Sequence, residues 1–205
     1  FVVMETETGQ DLFLDRLLSV MTQNQQTAPV NGLDVYICGA SSPLSTTGNA
    51  QSCVFIIVGD RSFVVDTGPG SPRVIRRLGL PLNNLEAVLL THFHGDHISA
   101  LGDVNFNSWV AGRGKKLTVM GPEGVDLVVN GFNQAYSLDS SYRTRHHGWD
   151  ILPLEYSVMQ SKTIEAGLVF EEDGLSIRAF RVDHSPIEPA VGYRFDYKGR
   201  SVAVS

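Results

Sequence analysis

The residues best equipped for chemistry lie in one short stretch, which reads Thr-His-Phe-His-Gly-Asp-His and holds three of the six histidines of the chain. Alternation along an extended segment places His92 and His94 on the same side, so that their imidazoles can converge on one cation. Asp96 and His97 follow where the chain is expected to turn into a helix, and they can face a second cation. Neutral imidazole and carboxylate suit zinc, and they also suit manganese or iron.

The HFHGDH stretch resembles the HxHxDH signature of the metallo-β-lactamase superfamily, and the resemblance covers residues 33–205. It implies an α/β (α+β) fold, the αββα sandwich, in which helices flank mixed β-sheets. It also implies a hydrolase in which His92 and His94 bind a first ion while Asp96 and His97 bind a second. Asp96 would in addition have a catalytic role, orienting the attacking water or assisting proton transfer.

Two further positions take their roles from the same resemblance. Asp66, in FVVDTGPG at 63–70, would orient a ligand histidine or the loop without binding metal, since a ligating imidazole needs an acceptor for its other N–H. His184 resembles the histidine of the family's third motif, and it would complete the first site and leave a fourth position for water. CGASSPL at 38–44 and Gly-Tyr-Arg at 192–194 are typical of the ribonuclease Z-like branch, which includes phosphodiesterases and arylsulfatase-like hydrolases.

The sequence departs from the family pattern at its end. The family supplies a metal-bridging aspartate in a Gly-Asp-Thr-like motif and a further histidine beyond it, and this chain stops at SVAVS, where that motif is expected. No residue here takes those two roles. We therefore expect a fold that is incomplete at its C-terminal side, belonging to a longer enzyme.

Four basic residues in the YRTRHHGWD stretch are candidate substrate contacts. Arg143, Arg145, His146 and His147 could form a basic lip that meets an anionic substrate. The other interpretation is a solvated helix end, where cations interact favourably with the helix dipole.

These features favour a binuclear zinc-dependent hydrolase of a small anionic ester, either a phosphodiester or an aryl sulfate. A ribonuclease Z-like endonuclease that processes the 3′ end of tRNA is the alternative. The chain has no room for the long arm with which such enzymes grip tRNA, and its net charge of −6 argues against broad nucleic-acid binding. Nucleic acid is therefore a less favoured partner. A non-catalytic metal-binding scaffold is the third interpretation.

The elements that must position these residues are short apolar runs bounded by Gly, Pro, Asn and Asp. Runs of this kind predict strands at 33–40, 53–60, 62–68, 86–92 and 116–121, followed by further strands in the last third. Proline near the first helical position predicts helices at 71–80 and 122–138. Helical spacing at 11–24 and a polar stretch at 22–32 predict an N-terminal helix and linker over 1–32, before one domain over 33–205.

Composition leaves the cellular setting open. No apolar run approaches the roughly 18 residues of a membrane span, and the segment after Phe1 lacks the layout of a signal peptide. The compartment is thus the cytoplasm by default, or the exterior if a signal preceded Phe1. The helix at 11–24 could pack on a partner, so an oligomer stays open. The two cysteines, Cys38 and Cys53, cannot build a disulfide framework, and we expect them to be buried and inert.

Overall fold

Two β-sheets and a layer of helices make up the computed structural model, which describes residues 30–44 and 48–205. The first sheet has the strand order β1-β2-β3-β4-β5-β6. Its strands are β1 (Val30–Gly39), β2 (Cys53–Gly59), β3 (Arg61–Val65), β4 (Leu85–Leu89), β5 (Leu117–Gly121) and β6 (Met159–Thr163). The second sheet has the order β10-β9-β8-β7. Its strands are β7 (Gly167–Glu172), β8 (Leu175–Arg181), β9 (Val191–Tyr197) and β10 (Arg200–Val204).

In the part of the chain that the structure describes, five helices connect these strands. They are α1 (Ser71–Arg77), α2 (Gly95–Ile98), α3 (Leu101–Val110), α4 (Val125–His147) and α5 (Leu154–Ser157), with a short 3-10 turn at Leu82–Asn84. The predicted helix at 11–24 lies outside the described residues. None of the helices that the structure describes is both long and apolar enough to cross a membrane.

The first sheet is mixed because hairpins build one half and helical crossovers the other. β1, β2 and β3 pair antiparallel, and a two-residue turn that contains Gly59 at φ +63° joins the last two. β3, β4, β5 and β6 pair in parallel, which places the carboxyl ends of these strands along one edge. The second sheet is antiparallel throughout.

Two apolar cores hold the layers together. Along β2 the side chains alternate, so that Phe55 packs in the core under the helices while Ile56 packs between the two sheets. Between the sheets, Phe63 packs edge-to-face on Phe195 with 5.7 Å between ring centroids. The order helix, sheet, sheet gives the mixed α/β fold that the sequence predicts. In the described residues no helix covers the outer face of the second sheet, so the fourth layer of the expected sandwich is not seen there.

Three local predictions need correction. β4 ends at Leu89, three residues before the predicted end, so His92 lies in the loop that follows the strand. Helix α4 continues nine residues beyond the predicted end to His147, because no stop signal occurs before Gly148, where φ is +97°. The two cysteines are buried, as expected, but they form a disulfide between β1 and β2.

Candidate metal centre

The second sheet brings its own histidine to the histidine loop through two hydrogen bonds. The backbone N–H of Val191 donates to the carbonyl of Thr91 at 3.0 Å, and the buried Tyr193 hydroxyl donates to the carbonyl of Leu90 at 2.7 Å. Both donors lie within the first three residues of β9, and the loop between β8 and β9 carries His184. The end of β4 and the β8–β9 loop therefore meet at one edge of the molecule.

Three imidazoles converge at this edge. The ligand nitrogens of His92, His94 and His184 all lie within 4.8 Å of one another. The His92 ring is buried, whereas His94 and His184 are exposed. The cluster is thus closed toward the protein and open toward solvent. The three roles remain predictions, and the convergence of the side chains is the geometry that those roles require.

One pair of nitrogens in the cluster already has the spacing that a tetrahedral metal ion requires. Zn–N bonds of about 2.05 Å in tetrahedral geometry separate two ligand nitrogens by roughly 3.3 Å. His92 Nε2 and His94 Nδ1 are 3.1 Å apart. A donor set of three imidazoles suits zinc, and also manganese or iron, and its exposed side leaves space for water or substrate.

A buried carboxylate organises the loop from behind. Asp66, 3% exposed, accepts hydrogen bonds from the backbone N–H of Thr91 at 2.9 Å and from the Thr91 hydroxyl at 2.8 Å. Its Oδ2 also accepts from His97 Nδ1 at 2.7 Å. Asp66 therefore contacts the histidine loop at three points and lies behind the cluster, in the position that the resemblance implies.

These contacts fix which nitrogen of each ring carries the proton. Because the Thr91 hydroxyl donates to Asp66, its oxygen accepts from His92 Nδ1, 3.0 Å away, and the lone pair of His92 Nε2 points toward the cluster, where His94 Nδ1 lies 3.1 Å away. Because His97 Nδ1 donates to Asp66, its Nε2 is likewise available as a ligand. A single carboxylate thus orients two imidazoles, one directly and one through a hydroxyl.

Burial and charge move the pKa values of these two histidines in opposite directions. Burial, helped by the neighbouring His97, lowers the pKa of His92 from 6.5 to about 4, which keeps its imidazole neutral and ready to ligate. Burial also acts to lower the pKa of His97, but the hydrogen bond and charge of Asp66, with the charge of Asp96, outweigh it and raise that pKa.

Asp96 and His97 form a pair beside the three-histidine cluster. Asp96 Oδ2 lies 3.6 Å from His97 Nε2, and both side chains are partly exposed in the first turn of α2. The His97 and His92 rings lie close together, with centroids 4.1 Å apart and planes tilted by 52°. Among the described residues, the pair has no third ligand within the spacing that joins the three histidines.

The four basic residues that are predicted to contact substrate lie at the end of α4 that is remote from the histidine loop. The helix begins beside the histidine loop, because a Cβ added at Gly124 would lie 3.3 Å from the Phe93 ring. At about 1.5 Å per residue, Arg143 is roughly 28 Å farther along the axis. Arg143 instead pairs with Asp139 and covers Phe106. The structure thus separates this basic group, comprising Arg143, Arg145, His146 and His147, from the histidine cluster, and its contact with a substrate stays a prediction.

Thr91 is the one member of the site that sequence reasoning missed. It connects Asp66 to His92 and holds the start of the loop through its backbone. Nothing in its spacing distinguishes it from a threonine at a strand end, since its role depends on a residue that lies 25 positions earlier.

The fold and the cluster together define the class of protein. Residues 46–155, more than half of the chain, match the family model "Metallo-beta-lactamase superfamily". The chain belongs to this superfamily.

Proteins similar in sequence indicate the branch of the superfamily to which the chain is related. The chain is 33% identical to Ribonuclease Z of Mycolicibacterium gilvum over 176 residues, which span 84% of this chain and 60% of the relative. It is 34% identical to Ribonuclease Z of Mycobacterium bovis, over 84% of this chain and 62% of that protein. The chain thus spans about three fifths of the length of these curated relatives. The ribonuclease Z-like resemblance is confirmed.

Solved structures share the fold. Human tRNase Z, short form, superposes with a TM-score of 0.61 at 18% identity, covering 83% of this chain and 67% of the human chain. The metallo-beta-lactamase fold protein YhfI from Bacillus subtilis gives a TM-score of 0.59 at 18% identity, over 83% of this chain and 60% of that one. At such identities the likeness establishes the fold alone.

Proposed function

We propose that the protein is a metal-dependent phosphodiesterase whose reaction takes place at the three-histidine cluster. The observation that carries the proposal is the convergence of the His92, His94 and His184 nitrogens within 4.8 Å, closed on one side and open on the other. When bound, a zinc ion supplies Lewis-acid polarisation and acidifies water at neutral pH. The reaction consumes one water: its oxygen bonds to phosphorus, the ester P–O bond breaks, and the departing alcohol takes a proton.

The protein's own groups prepare this chemistry. Asp66 and Thr91 hold His92 with Nε2 unprotonated, so that the ligand needs no tautomer change before it binds. Asp96, at the open side of the loop, is the carboxylate that we propose to orient the water and take its proton.

A second zinc ion is part of the proposal. His97 Nε2 and Asp96 Oδ2 are 3.6 Å apart, and both side chains are partly exposed. The other ring nitrogen of His97, Nδ1, is hydrogen-bonded to Asp66. The pair supplies two ligands, and a stable second site needs more. Manganese and iron are the alternatives for both positions, since they accept the same imidazole and carboxylate ligands.

Phosphodiesters are favoured over aryl sulfates because the relatives at 33–34% identity are ribonucleases by name, and a ribonuclease acts on phosphodiester bonds. The same relatives favour RNA as a second candidate substrate. Against RNA stand the net charge of −6 and the remoteness of the basic end of α4.

The test starts from metal-stripped protein reloaded with zinc, manganese or iron, with metal content measured by mass spectrometry. Bis(4-nitrophenyl) phosphate, 4-nitrophenyl sulfate and a precursor tRNA are then compared as substrates. We expect hydrolysis of the phosphodiester and not of the sulfate. His94→Ala should lower this activity by more than about a hundredfold, beyond the range for residues that only support metal ligands. Gln134→Ala, which changes an exposed residue in the middle of α4, is the control.

Three results would each replace the proposal. Cleavage of tRNA alone, weakening steeply with salt, would identify the RNA candidate. Hydrolysis of the sulfate alone would make the protein an arylsulfatase. Stoichiometric metal with no turnover of any of the three substrates would make the domain a metal-binding scaffold.

A further inference from the structure

A cleft of about 680 Å³ opens beside the histidine cluster, a size typical of small-molecule sites. It lies at the edge where β5, β6 and β8 end and β9 begins. One wall is the β8–β9 loop, which also carries His184. Val191, at the end of that wall, donates a backbone hydrogen bond to the carbonyl of Thr91. The cleft and the cluster are therefore neighbouring parts of one surface.

The base of the cleft is apolar. Ile164, Ala190 and Val191 line it and are 6%, 5% and 4% exposed, and Pro122 is buried beside them. Because these apolar side chains line the cleft below its rim, they favour contact with hydrocarbon over contact with a hydrated phosphate chain.

The rim of the cleft is acidic. Glu123, Glu165 and Glu188 line it and are exposed, and Arg181 is the single cation among its lining residues. In the described part of the chain, none of these three carboxylates forms an ion pair. Three negative charges against one positive charge repel a polyanion and attract a cation.

We propose that this cleft binds a positively charged limb, an amine or quaternary ammonium group on a short hydrocarbon, of the ester whose phosphoryl group reacts at the histidine cluster. This inference rests on the proposed function and specifies its substrate class. The substrate then has two poles that match the surface: an anionic phosphoryl group at the histidines and a cationic limb between the three glutamates. A nucleic-acid chain has only the first of these poles, and successive phosphates would enter the acidic rim.

The test compares two esters that differ in one atom. One is 4-nitrophenyl phosphorylcholine, and the other is its 3,3-dimethylbutyl analogue, in which carbon replaces the ammonium nitrogen. In both, water oxygen bonds to phosphorus and the bond to nitrophenolate breaks, so the leaving group is the same. Contacts between exposed charges change binding by about two- to fivefold each, so we expect kcat/KM to favour the choline ester by about tenfold.

Removal of the rim charges should shift the two esters in opposite directions. In Glu123→Gln/Glu165→Gln/Glu188→Gln, kcat/KM for the choline ester should fall about tenfold, while that for the anionic analogue should rise because repulsion is removed. General damage to the fold or to the cluster lowers both. Asp150→Asn/Glu155→Gln/Glu171→Gln, which changes three exposed carboxylates away from the cleft, is the charge-matched control and should keep the wild-type ratio.

A binding measurement separates this inference from the proposed function. Choline and its uncharged isostere, 3,3-dimethylbutan-1-ol, are titrated into the full chain and followed by ligand-observed NMR. Choline should bind about tenfold more tightly than the isostere, and the triple variant should abolish the difference. If neither ester is hydrolysed but choline is preferred, the proposed function fails and the cleft assignment stands. Equal binding of the two alcohols, or esters hydrolysed with no preference, would overturn the inference.

Discussion

Replacing Asp66 by asparagine should weaken metal binding because it changes which ring nitrogens of His92 and His97 carry a proton, while the size of the side chain at position 66 stays the same. The substitution keeps the side-chain size and leaves one oxygen to accept from the Thr91 backbone, which lies 2.9 Å from Oδ1. The atom that replaces Oδ2 is now an amide nitrogen, 2.7 Å from His97 Nδ1 in the present geometry. An amide N–H there donates to Nδ1 and moves the imidazole proton to Nε2, where it blocks ligation.

The substitution of Asp66 also affects His92, through the hydroxyl of Thr91. Thr91 Oγ1 can no longer donate to a carboxylate oxygen at 2.8 Å, so its proton is free to point at His92 Nδ1, 3.0 Å away. That arrangement also favours the tautomer with the proton on Nε2. Loss of a supporting partner of a metal ligand costs about 10- to 100-fold in affinity, which corresponds to about 1.4–2.7 kcal/mol.

Zinc affinity, measured by competition with a chromophoric chelator at fixed pH, is the assay for Asp66→Asn. In the metal-free variant, NMR titration should also show the His97 pKa lowered, since the charge of Asp66 raises it in the wild type. Asp196→Asn, which changes a partly exposed aspartate paired with Arg194 on the second sheet, controls for the substitution itself. Wild-type zinc affinity in Asp66→Asn would refute the tautomer argument.

Three other perturbations test how the site is held. Gly68→Ala should lower the free energy of unfolding by about 1–3 kcal/mol and weaken zinc binding, because its Cβ would lie 2.3 Å from the backbone oxygen of Asp96; unchanged urea denaturation would contradict this. Tyr193→Phe should cost about 1–3 kcal/mol, since it leaves the Leu90 carbonyl without its donor, whereas Tyr197→Phe should cost less. The disulfide between β1 and β2 closes a loop with a sequence separation of 15, so breaking it should lower the free energy of unfolding by about 3 kcal/mol. A melting temperature that does not change with reductant would contradict this.

The histidine loop and the mixed sheets could be predicted because both depend on local patterns. Ligand spacing within HFHGDH requires only a few consecutive residues, and buried strands such as β2 show as unbroken apolar runs. The end of α4 could not be predicted in this way. Its last turns are polar and solvated, and the Thr144 hydroxyl anchors them through a bond to the carbonyl of Leu152, beyond the helix end. The length of α4 in turn decided the location of the basic residues.

The disulfide illustrates a second limit, which is strand register. The β1–β2 pairing shifts between Ile37 and Gly39, and the shifted register pairs Gly39 with Cys53. Cys38 consequently lies next to Cys53 across the ladder, 5.0 Å away between Cα atoms. Apolar patterns identify strands, but they do not reveal a bulge of one residue, so the pairing could not be derived from spacing.

The three residues of the Asp-Thr-Gly motif after β3 each carry one part of the support for the loop. Asp66 occupies a left-handed conformation with φ +57°, a strained position that its hydrogen bonds to the loop offset. Thr67 clamps α2 through its backbone, donating to the carbonyl of His97 at 2.6 Å and accepting from Ala100 N–H at 2.8 Å. Gly68 allows the backbone to approach Asp96 more closely than any side chain permits. A substitution at any of the three therefore moves the histidine loop, although none of them is placed to bind the metal ion.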